Sequence, residues 1–477
     1  YNMTKKLSRD GYTILKSDFT SKEIKTIKDD LTAKPYTMDD FSNGKEKKFT
    51  LYLESPKKLY LPRFYGLKRF GIPDKNTIND GEIIDINFKG GLREEQKPIF
   101  DVSYKQIMDT GGGIISLKCG GGKTVLSLYI LSQIRLKTLV VVHKDFLMTQ
   151  WYDRIGEFIP DAKIGKIQQD TIDVEGKDIV LAMVQSLSMK EYPEDTFESF
   201  GLVIFDECHH LGAEVFSKCM AKVQSKYMLG LSATPNRKDG LRKVFEWYIG
   251  DIAYMTKETK DDNAIVNIIK YYNEDQKYSK VESTFNGKAC VPKMINNICN
   301  YVPRTDLIIK QLLPLYDEGR CILILSDRRN HLSDIEKILK KHSIECGYYV
   351  GGMKPQALRD AQEKNVILGT FSMASEGMDI PKLNTMILAS PKSDIVQSVG
   401  RILRQKKETR KFIPLIIDID DDFSVFKNQS KKRLSYYNKC KYDITIYDLD
   451  GTNYKYTKKS SKQKKEKKIE NIEECLI

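Results

Sequence analysis

The sequence predicts an α/β protein: two tandem parallel-sheet domains, a small N-terminal accessory domain ahead of them and a Lys-rich tail behind. Its 477 residues exceed the roughly 250–300 at which a single hydrophobic core stops growing. Short Val/Ile/Leu runs alternate with amphipathic stretches of helical spacing, and the alternation occurs twice. That is the wiring of successive βαβ units.

The first series starts near residue 114 with IISL and continues as TVLSLYILSQI, TLVVV, FLMTQWYDRIGEF, DIVLAM, LVIFDE and MLGLSAT. Its strands read as unbroken apolar runs because parallel sheets are covered on both faces. A linker-like region follows at Asn273–Val302, and then CILILSD, CGYYVGG, NVILGTF, NTMILAS and FIPLIIDI form the second series. The domains are placed at 89–258 and 259–450. Residues 1–88 lack this rhythm. Their stretch KKLYLPRFYGLKRFG predicts hairpins that carry Tyr60, Arg63, Phe64, Tyr65, Lys68 and Arg69 on one face, where aromatics could stack on a strand and cations neutralise it. Residues 451–477 contain KYTKKSSKQKKEKKIE, too Lys-dense to offset the entropy of ordering. A flexible tail is expected there, adding electrostatic affinity or serving nuclear targeting.

Seventy-eight Lys and Arg against 65 Asp and Glu leave a net charge of +13, which favours polyanionic partners, nucleic acid foremost. No run of 18 apolar residues exists, and YNMTKKLSRDGY lacks the apolar stretch of a secretory signal, so membrane and secreted readings are set aside. A native start is expected at Met3, with Tyr1 and Asn2 a remnant before it. Nine cysteines without a CxxC pair support neither a disulfide framework nor a zinc ribbon, which points to a reducing intracellular compartment.

The segment LKCGGGKTVL follows a strand-like run and opens a helix-like one, as a phosphate-binding loop requires. Cys119, Gly120, Gly121 and Gly122 would bring backbone N–H groups to phosphate oxygens. Lys123 supplies charge and Thr124 a hydroxyl for Mg²⁺. The first Gly of the strict pattern is replaced by Leu117. Farther on, LVIF ends in Asp206 and Glu207, where open α/β sheets place their ligands. Asp206 could hold the metal and Glu207 act as general base. His209 and His210 follow without a further Cys or His cluster, which favours polar coupling over metal ligation. In QSVGRILR, Gln397, Arg401 and Arg404 fall at i, i+4 and i+7 of a predicted helix, and two guanidiniums on one face suit a polyphosphate.

Read together, LREEQ, CGGGKT, VVHKDFLMTQW, MVQSL, DECHH, LSATP, GTFSMASEGMDIP and QSVGRILR resemble the successive motifs of superfamily 2 helicases over about residues 90–425. The resemblance is strongest to the XPB-like branch, which includes transcript-release helicases of large cytoplasmic DNA viruses and UvsW-type phage helicases. It implies two RecA-like domains closing on ATP and Mg²⁺ and movement along a strand in the 3′ to 5′ direction. By motif position, Arg93 and Gln96 contact adenine, Asp379 lies at the ribose, and Arg401 and Arg404 are arginine fingers. Ser232 and Thr234 relay nucleotide state, and Gln397 pairs with the His209 region. Gln150, Trp151, Gln185, Ser186, Thr370 and Ser372 fall on the strand-tracking side. Lys238 of NRKDG stands where XPB proteins carry an acidic residue of their strand-separating element, which leaves strand separation open.

The resemblance favours DNA over RNA or an RNA–DNA hybrid, and its viral side suggests transcription machinery as partner and a viral factory, cytoplasm or virion as location, the nucleus remaining open. Two rivals stand beside transcript release: an annealing or branch-migration helicase of recombination and repair, and a non-catalytic ATP-gated clamp. Against the clamp, Lys123, Glu207 and Arg401 are all in place.

Overall fold

The structure, a computed structural model, describes residues 5–33, 48–117, 120–207, 213–233, 242–256, 263–285, 287, 289–376, 378, 380–405, 409–448 and 453–455. The chain divides into two compact units, Tyr1–Lys257 and Glu258–Ile477.

The first unit is built on an eight-stranded sheet. From edge to edge its strands are Thr171–Asp173, Ile164–Gln168, Ile179–Met183, Thr138–Val142, Leu202–Phe205, Tyr227–Ser232, Gly112–Ser116 and Ile252–Met255. All pairings are parallel except that of the first strand. The apolar runs are buried end to end, as strands covered on both faces must be. The segments read as helical are helical: Lys123–Ile134 and Asp145–Phe158.

Residues 1–88 depart from the expectation of a separate domain of hairpins. A five-stranded sheet and two helices, Ser21–Asp30 and Arg63–Phe70, do form there. The first helix starts at a reciprocal cap, in which the Thr20 hydroxyl accepts from the Glu23 N–H and the Glu23 carboxylate from the Thr20 N–H. Tyr12, Ile14, Leu59, Leu61 and Tyr65, however, share one apolar cluster with Ile114, Leu139, Phe245 and Tyr248 of the parallel-sheet body. The aromatic and basic stretch forms a strand, Lys58–Leu61, and then the helix Arg63–Phe70. Arg63, Phe64 and Tyr65 are buried in it. The Arg63 guanidinium donates to the carbonyls of Ser225 at 3.2 Å, Lys226 at 2.8 Å and Thr110 at 3.5 Å. Tyr65 meets Trp247 edge to face at 5.3 Å. Gly66 permits this packing, since a Cβ there would sit 2.2 Å from the Tyr12 ring. Lys68 pairs with Asp251 and Arg69 with Asp30. The stretch is therefore committed to joining the accessory sheet to the body.

From that sheet the chain runs as a strap along the body. The Glu82 N–H donates to the Ser199 carbonyl at 2.8 Å, the Ile84 N–H to Arg135 at 3.1 Å and the Lys89 N–H to Phe158 at 2.7 Å. The buried Lys137 ammonium pairs with Glu82 at 3.0 Å. The strap ends at Arg93–Gln96, beside the phosphate loop.

The second unit repeats the architecture: Cys346–Tyr349, Val366–Gly369, Ile322–Leu325, Thr385–Leu388, Leu415–Asp421, Ile265–Tyr271, Asp443–Tyr447 and Asn453–Lys455 form one sheet, parallel but for the last pairing. The region read as a linker carries helices Gln276–Ser279 and Val291–Asn300, the second burying Met294, Ile295 and Ile298. Of the expected tail, Asn453–Lys455 is the edge strand, and residues 451, 452 and 456–477 lie outside the described residues. Two bidentate or multiply bonded ion pairs are buried here. Arg304 holds Asp421 at 2.7 and 2.8 Å, and Arg433 holds Asp418 at 2.8 Å. Among the described residues no helix is long and apolar enough to cross a membrane.

His331 is buried between the Ser326 hydroxyl at 3.1 Å and the Thr305 hydroxyl at 3.3 Å. Burial, aided by the Arg304 charge, lowers its pKa to about 3. An imidazole kept neutral on folding binds fewer protons than the unfolded chain below the ordinary value near 6.5. Its contribution is complete above that value and is lost as pH falls toward the folded value. His331→Asn should therefore lose less stability than the parent between pH 7 and pH 5, by about 2 kcal/mol, in denaturant titrations of the two proteins. Equal losses would show that His331 does not titrate with folding.

Candidate active site

Parallel wiring brings five loops to the same edge of the first sheet. The phosphate-loop glycines follow Gly112–Ser116, His143 follows Thr138–Val142, Gln185 follows Ile179–Met183, Asp206 and Glu207 follow Leu202–Phe205, and Ser232 ends Tyr227–Ser232. Tyr227–Ser232 lies between the strands that carry the glycines and the carboxylates, with Ser232 opposite Ser116 in register. Ser232 is fully buried, and its carbonyl accepts the Leu117 N–H at 3.1 Å.

Gly120 and Gly122 adopt φ of +78° and +75°, a region open to glycine at no steric cost. At Gly122 a Cβ would stand 2.5 Å from the Gln96 amide nitrogen and 2.7 Å from an Arg93 guanidinium nitrogen. Gln96, 2% exposed, donates to the Gly122 carbonyl at 3.3 Å, while its Oε1 accepts from the Arg93 N–H at 3.2 Å and Nε at 3.3 Å. The two residues assigned to adenine thus pack against the phosphate loop.

Lys123 opens the helix Lys123–Ile134, and its ammonium is ion-paired with Glu207 Oε1. Both side chains are nearly buried, 12% and 11% exposed. Thr124 is half-buried one residue on. Asp206 Oδ2 accepts the Trp151 indole N–H at 2.9 Å, and Oδ1 accepts the Glu207 backbone N–H at 2.9 Å. Burial, then the Glu207 charge, push the Asp206 carboxyl above the usual carboxylate range, opposed by Lys123 and these hydrogen bonds. Glu207 itself adopts φ of +47°, a strained conformation for a side chain of its size.

Several residues assigned to strand tracking are otherwise engaged. Trp151 is 1% exposed and faces Asp206, because the helix Asp145–Phe158 turns that side inward. Gln185 donates to the His143 carbonyl at 2.9 Å, and buried Ser186 accepts the Gln169 N–H at 3.0 Å. Gln150 is half-buried on the same helix as Trp151. In the second unit the Thr370 and exposed Ser372 hydroxyls lie 3.3 Å apart.

The predicted helix through Gln397, Arg401 and Arg404 stops early, at Val399. Turns follow, so the three residues do not share a helix face. Arg401 is buried, giving Nε to the Ala374 carbonyl at 2.5 Å and Nη1 to the Met378 carbonyl at 2.8 Å. Gln397 and Arg404 are half-buried. Cys119, His209, His210, Thr234, Lys238 and Asp379 lie outside the described residues.

Sequence reading did not single out His143, whose signal was its place after the apolar run TLVVV. Nor did it foresee a polar cleft in the second unit lined by Asn296, Asn300 and Asp327–Asn330. The motif DRRN at the carboxyl end of Ile322–Leu325 was its only mark.

A glycine cradle, a lysine opening the next helix and paired carboxylates on a neighbouring strand, followed by a second α/β unit, define a nucleotide-hydrolysing protein of the two-domain motor class. Residues 89–237 match the family model described as the res subunit of type III restriction enzymes, and residues 304–406 match the helicase conserved C-terminal domain. A protein of Acanthamoeba polyphaga mimivirus, provisionally named ATP-dependent RNA helicase L396, is 37% identical over 98% of this chain and 89% of its own. African swine fever virus QP509L, provisionally named likewise, is 27% identical over 73% of each chain. A fragment of an HsdR subunit of a type I restriction enzyme from Vibrio vulnificus shares the fold, with a TM-score of 0.53 at 19% identity, covering 77% of this chain and 71% of that one. The chain belongs to the superfamily 2 helicases, and it is an ATP-hydrolysing helicase.

Trp151→Phe keeps the ring packing and removes the donor to Asp206. A folded variant should hydrolyse ATP about 10- to 100-fold more slowly, the range seen when a partner orienting a functional carboxylate is lost. Wild-type turnover would separate that hydrogen bond from the activity.

Proposed function

We propose that the chain is a strand-tracking motor of the XPB-like branch that couples ATP hydrolysis to 3′ to 5′ movement on nucleic acid, with DNA as the track and transcript release during viral transcription as the task. The observation that carries the catalytic part is the Lys123–Glu207 ion pair, seated beside Asp206 and the glycine cradle. It keeps the cation meant for phosphate and the carboxylate meant for water together until a nucleotide separates them.

The residues fit Mg²⁺ as a nucleotide-bound ion. Among the described residues no group of three His, Cys, Asp or Glu could hold a metal. One carboxylate, Asp206, with the Thr124 hydroxyl suits an ion that takes its remaining ligands from phosphate and water. Bound there, it would neutralise charge developing on the phosphates. Lys123 would exchange Glu207 for a phosphate oxygen. Glu207 Oε1 would then accept a proton from the attacking water, and Asp206, fixed by Trp151, would hold its orientation throughout. Arg93 and Gln96 would meet the base, and Arg404 would stabilise charge on the transferred phosphoryl group. Arg401, given to the carbonyls of Ala374 and Met378, would fix the turn that carries Arg404.

A second reading takes RNA as the track. The names of the mimivirus and African swine fever virus relatives favour it. ATPase rates with single-stranded DNA, duplex, fork and RNA, measured side by side, decide between the two. Strongest stimulation by RNA would move the proposal to that track, and stimulation by none would leave the ATP-gated clamp.

Lys123→Ala should weaken ATP binding at least about tenfold, whereas Glu207→Gln should bind ATP within about threefold of the parent and hydrolyse it at least about 100-fold more slowly. Wild-type turnover in Glu207→Gln would remove it as the base. Arg404→Ala should lower stimulated turnover at least about 100-fold while ATP affinity shifts less than about tenfold, since an arginine finger acts on transition-state charge. Lys should substitute poorly, lacking the planar fork. Loss of strand binding with normal basal turnover would instead assign Arg404 to the nucleic acid.

A further inference from the structure

Phe285 has no burial at all, with a relative exposure of 104%. An aromatic ring held in water is costly, at about 25 cal/mol per Å² of apolar surface. Its backbone surroundings are nonetheless tied down. Ser283 and Ala289 form an antiparallel bridge, the Gly287 N–H donates to the Thr284 carbonyl at 2.9 Å, and the Cys290 N–H donates to the Glu282 carbonyl at 2.6 Å. Cys290 caps the helix Val291–Asn300, so the bridge is fastened to that helix. The Glu282 carboxylate adds a second fastening: it pairs with Lys280 at 3.2 Å and accepts from the Asn297 side chain, with Lys293 nearby.

The same helix leads to the polar cleft of the second unit. The Arg328 guanidinium donates to the Pro292 carbonyl at 3.0 Å and to the Asn296 side chain. Asn296, Asn300, Asp327, Arg328, Arg329 and Asn330 line a cleft of ≈ 280 Å³. Asp327 is neutralised by Lys392 at 3.2 Å. Of the cleft's charged lining, Arg328 and Arg329 stand against Asp327, which Lys392 pairs, so the lining is cationic. An exposed ring on a braced support, fastened to the same helix whose asparagines and Arg328 line a polar cleft, has the makeup of a single-strand platform: a π-face for a base and, on that helix, donors for phosphate.

We propose that Phe285 stacks on a base of the tracked strand. A protein partner could cover the ring, but asparagine and arginine donors around a cationic cleft match a polyanion with flat bases better. The inference rests on the strand-tracking reading and deepens it by naming a contact in the second unit outside the motif residues.

The test is equilibrium binding of the full chain to a fluorescently labelled single-stranded oligonucleotide, in DNA and RNA forms, and to a matched fully abasic strand. Phe285→Ala and Phe285→Leu should weaken binding to the base-bearing strand about 5- to 100-fold, the range for loss of one base–aromatic stack. Phe285→Trp should stay within about threefold of the parent. Met189→Ala, an equally conspicuous exposed apolar side chain in the first unit, 82% exposed, should not change affinity. On the abasic strand the Ala variant and the parent should bind alike. Unchanged affinity in Phe285→Ala, or an equal loss on the abasic strand, would overturn the stacking contact while leaving the motor reading intact. Failure of the parent to bind either strand would overturn both.

Discussion

A parallel sheet covered on both faces leaves polar chemistry one place to gather, the edge where its strands end. The Val, Ile and Leu side chains of Thr138–Val142, Leu202–Phe205 and Tyr227–Ser232 are buried throughout. Each strand therefore reaches its first usable polar position only as it leaves the sheet, and register decides which of these meet. Phe205 pairs with Gly230, and Ser232 with Ser116, so the carboxylates after Phe205 and the glycines after Ser116 emerge close enough for Lys123 to reach Glu207. The cost of burying that pair is offset only while both charges stay together or a polyphosphate replaces one of them. The Lys123–Glu207 pair and the positive φ of Glu207 both lie in this crowding of charge at one edge.

Much of this was legible in the chain because it depends on local pattern. Unbroken apolar runs gave the strands, and GGGKT and DE, each after such a run, gave the cradle and the carboxylates. What escaped depends on which way a side chain turns once distant segments have packed. Trp151 is assigned by motif to the tracked strand, and its hydrogen bond to Asp206, 55 positions away, has no local mark. Arg401 spaces correctly from Arg404 for a helix, yet the helix ends at Val399 and the guanidinium turns inward to two carbonyls. A pattern of period 3.6 shows that residues could share a face without showing that the helix lasts long enough to make them do so.

Arg63 makes the same point in the accessory region. Arginine amid aromatics reads as a surface for nucleic acid, but three backbone carbonyls from segments far apart in sequence receive it in the interior. Among the described residues no carboxylate pairs with it, and burial lowers its pKa to about 10. The carbonyl oxygens are the compensation for desolvation, and these belong to every sequence. Composition records which side chains carry charge; it does not record where the backbone will be free to accept from them.

The two buried ion pairs of the second unit have a bearing on how that sheet finds its alignment. Asp418 and Asp421 lie three residues apart on one strand, so they project to opposite faces and are taken by Arg433 on one side and Arg304 on the other. Sliding the strand by one residue would exchange its faces. Arg433 would then face Ile417 or Ile419, while Arg304 would meet Asp420 or Asp422, so only the observed alignment gives both guanidiniums a carboxylate. An apolar strand such as LIID tolerates several near-equivalent alignments against Val/Ile neighbours, but two arginines reading it from both faces tolerate one. The pairs act as a key cut on both edges, and they discriminate among alignments that apolar burial alone would leave close in energy.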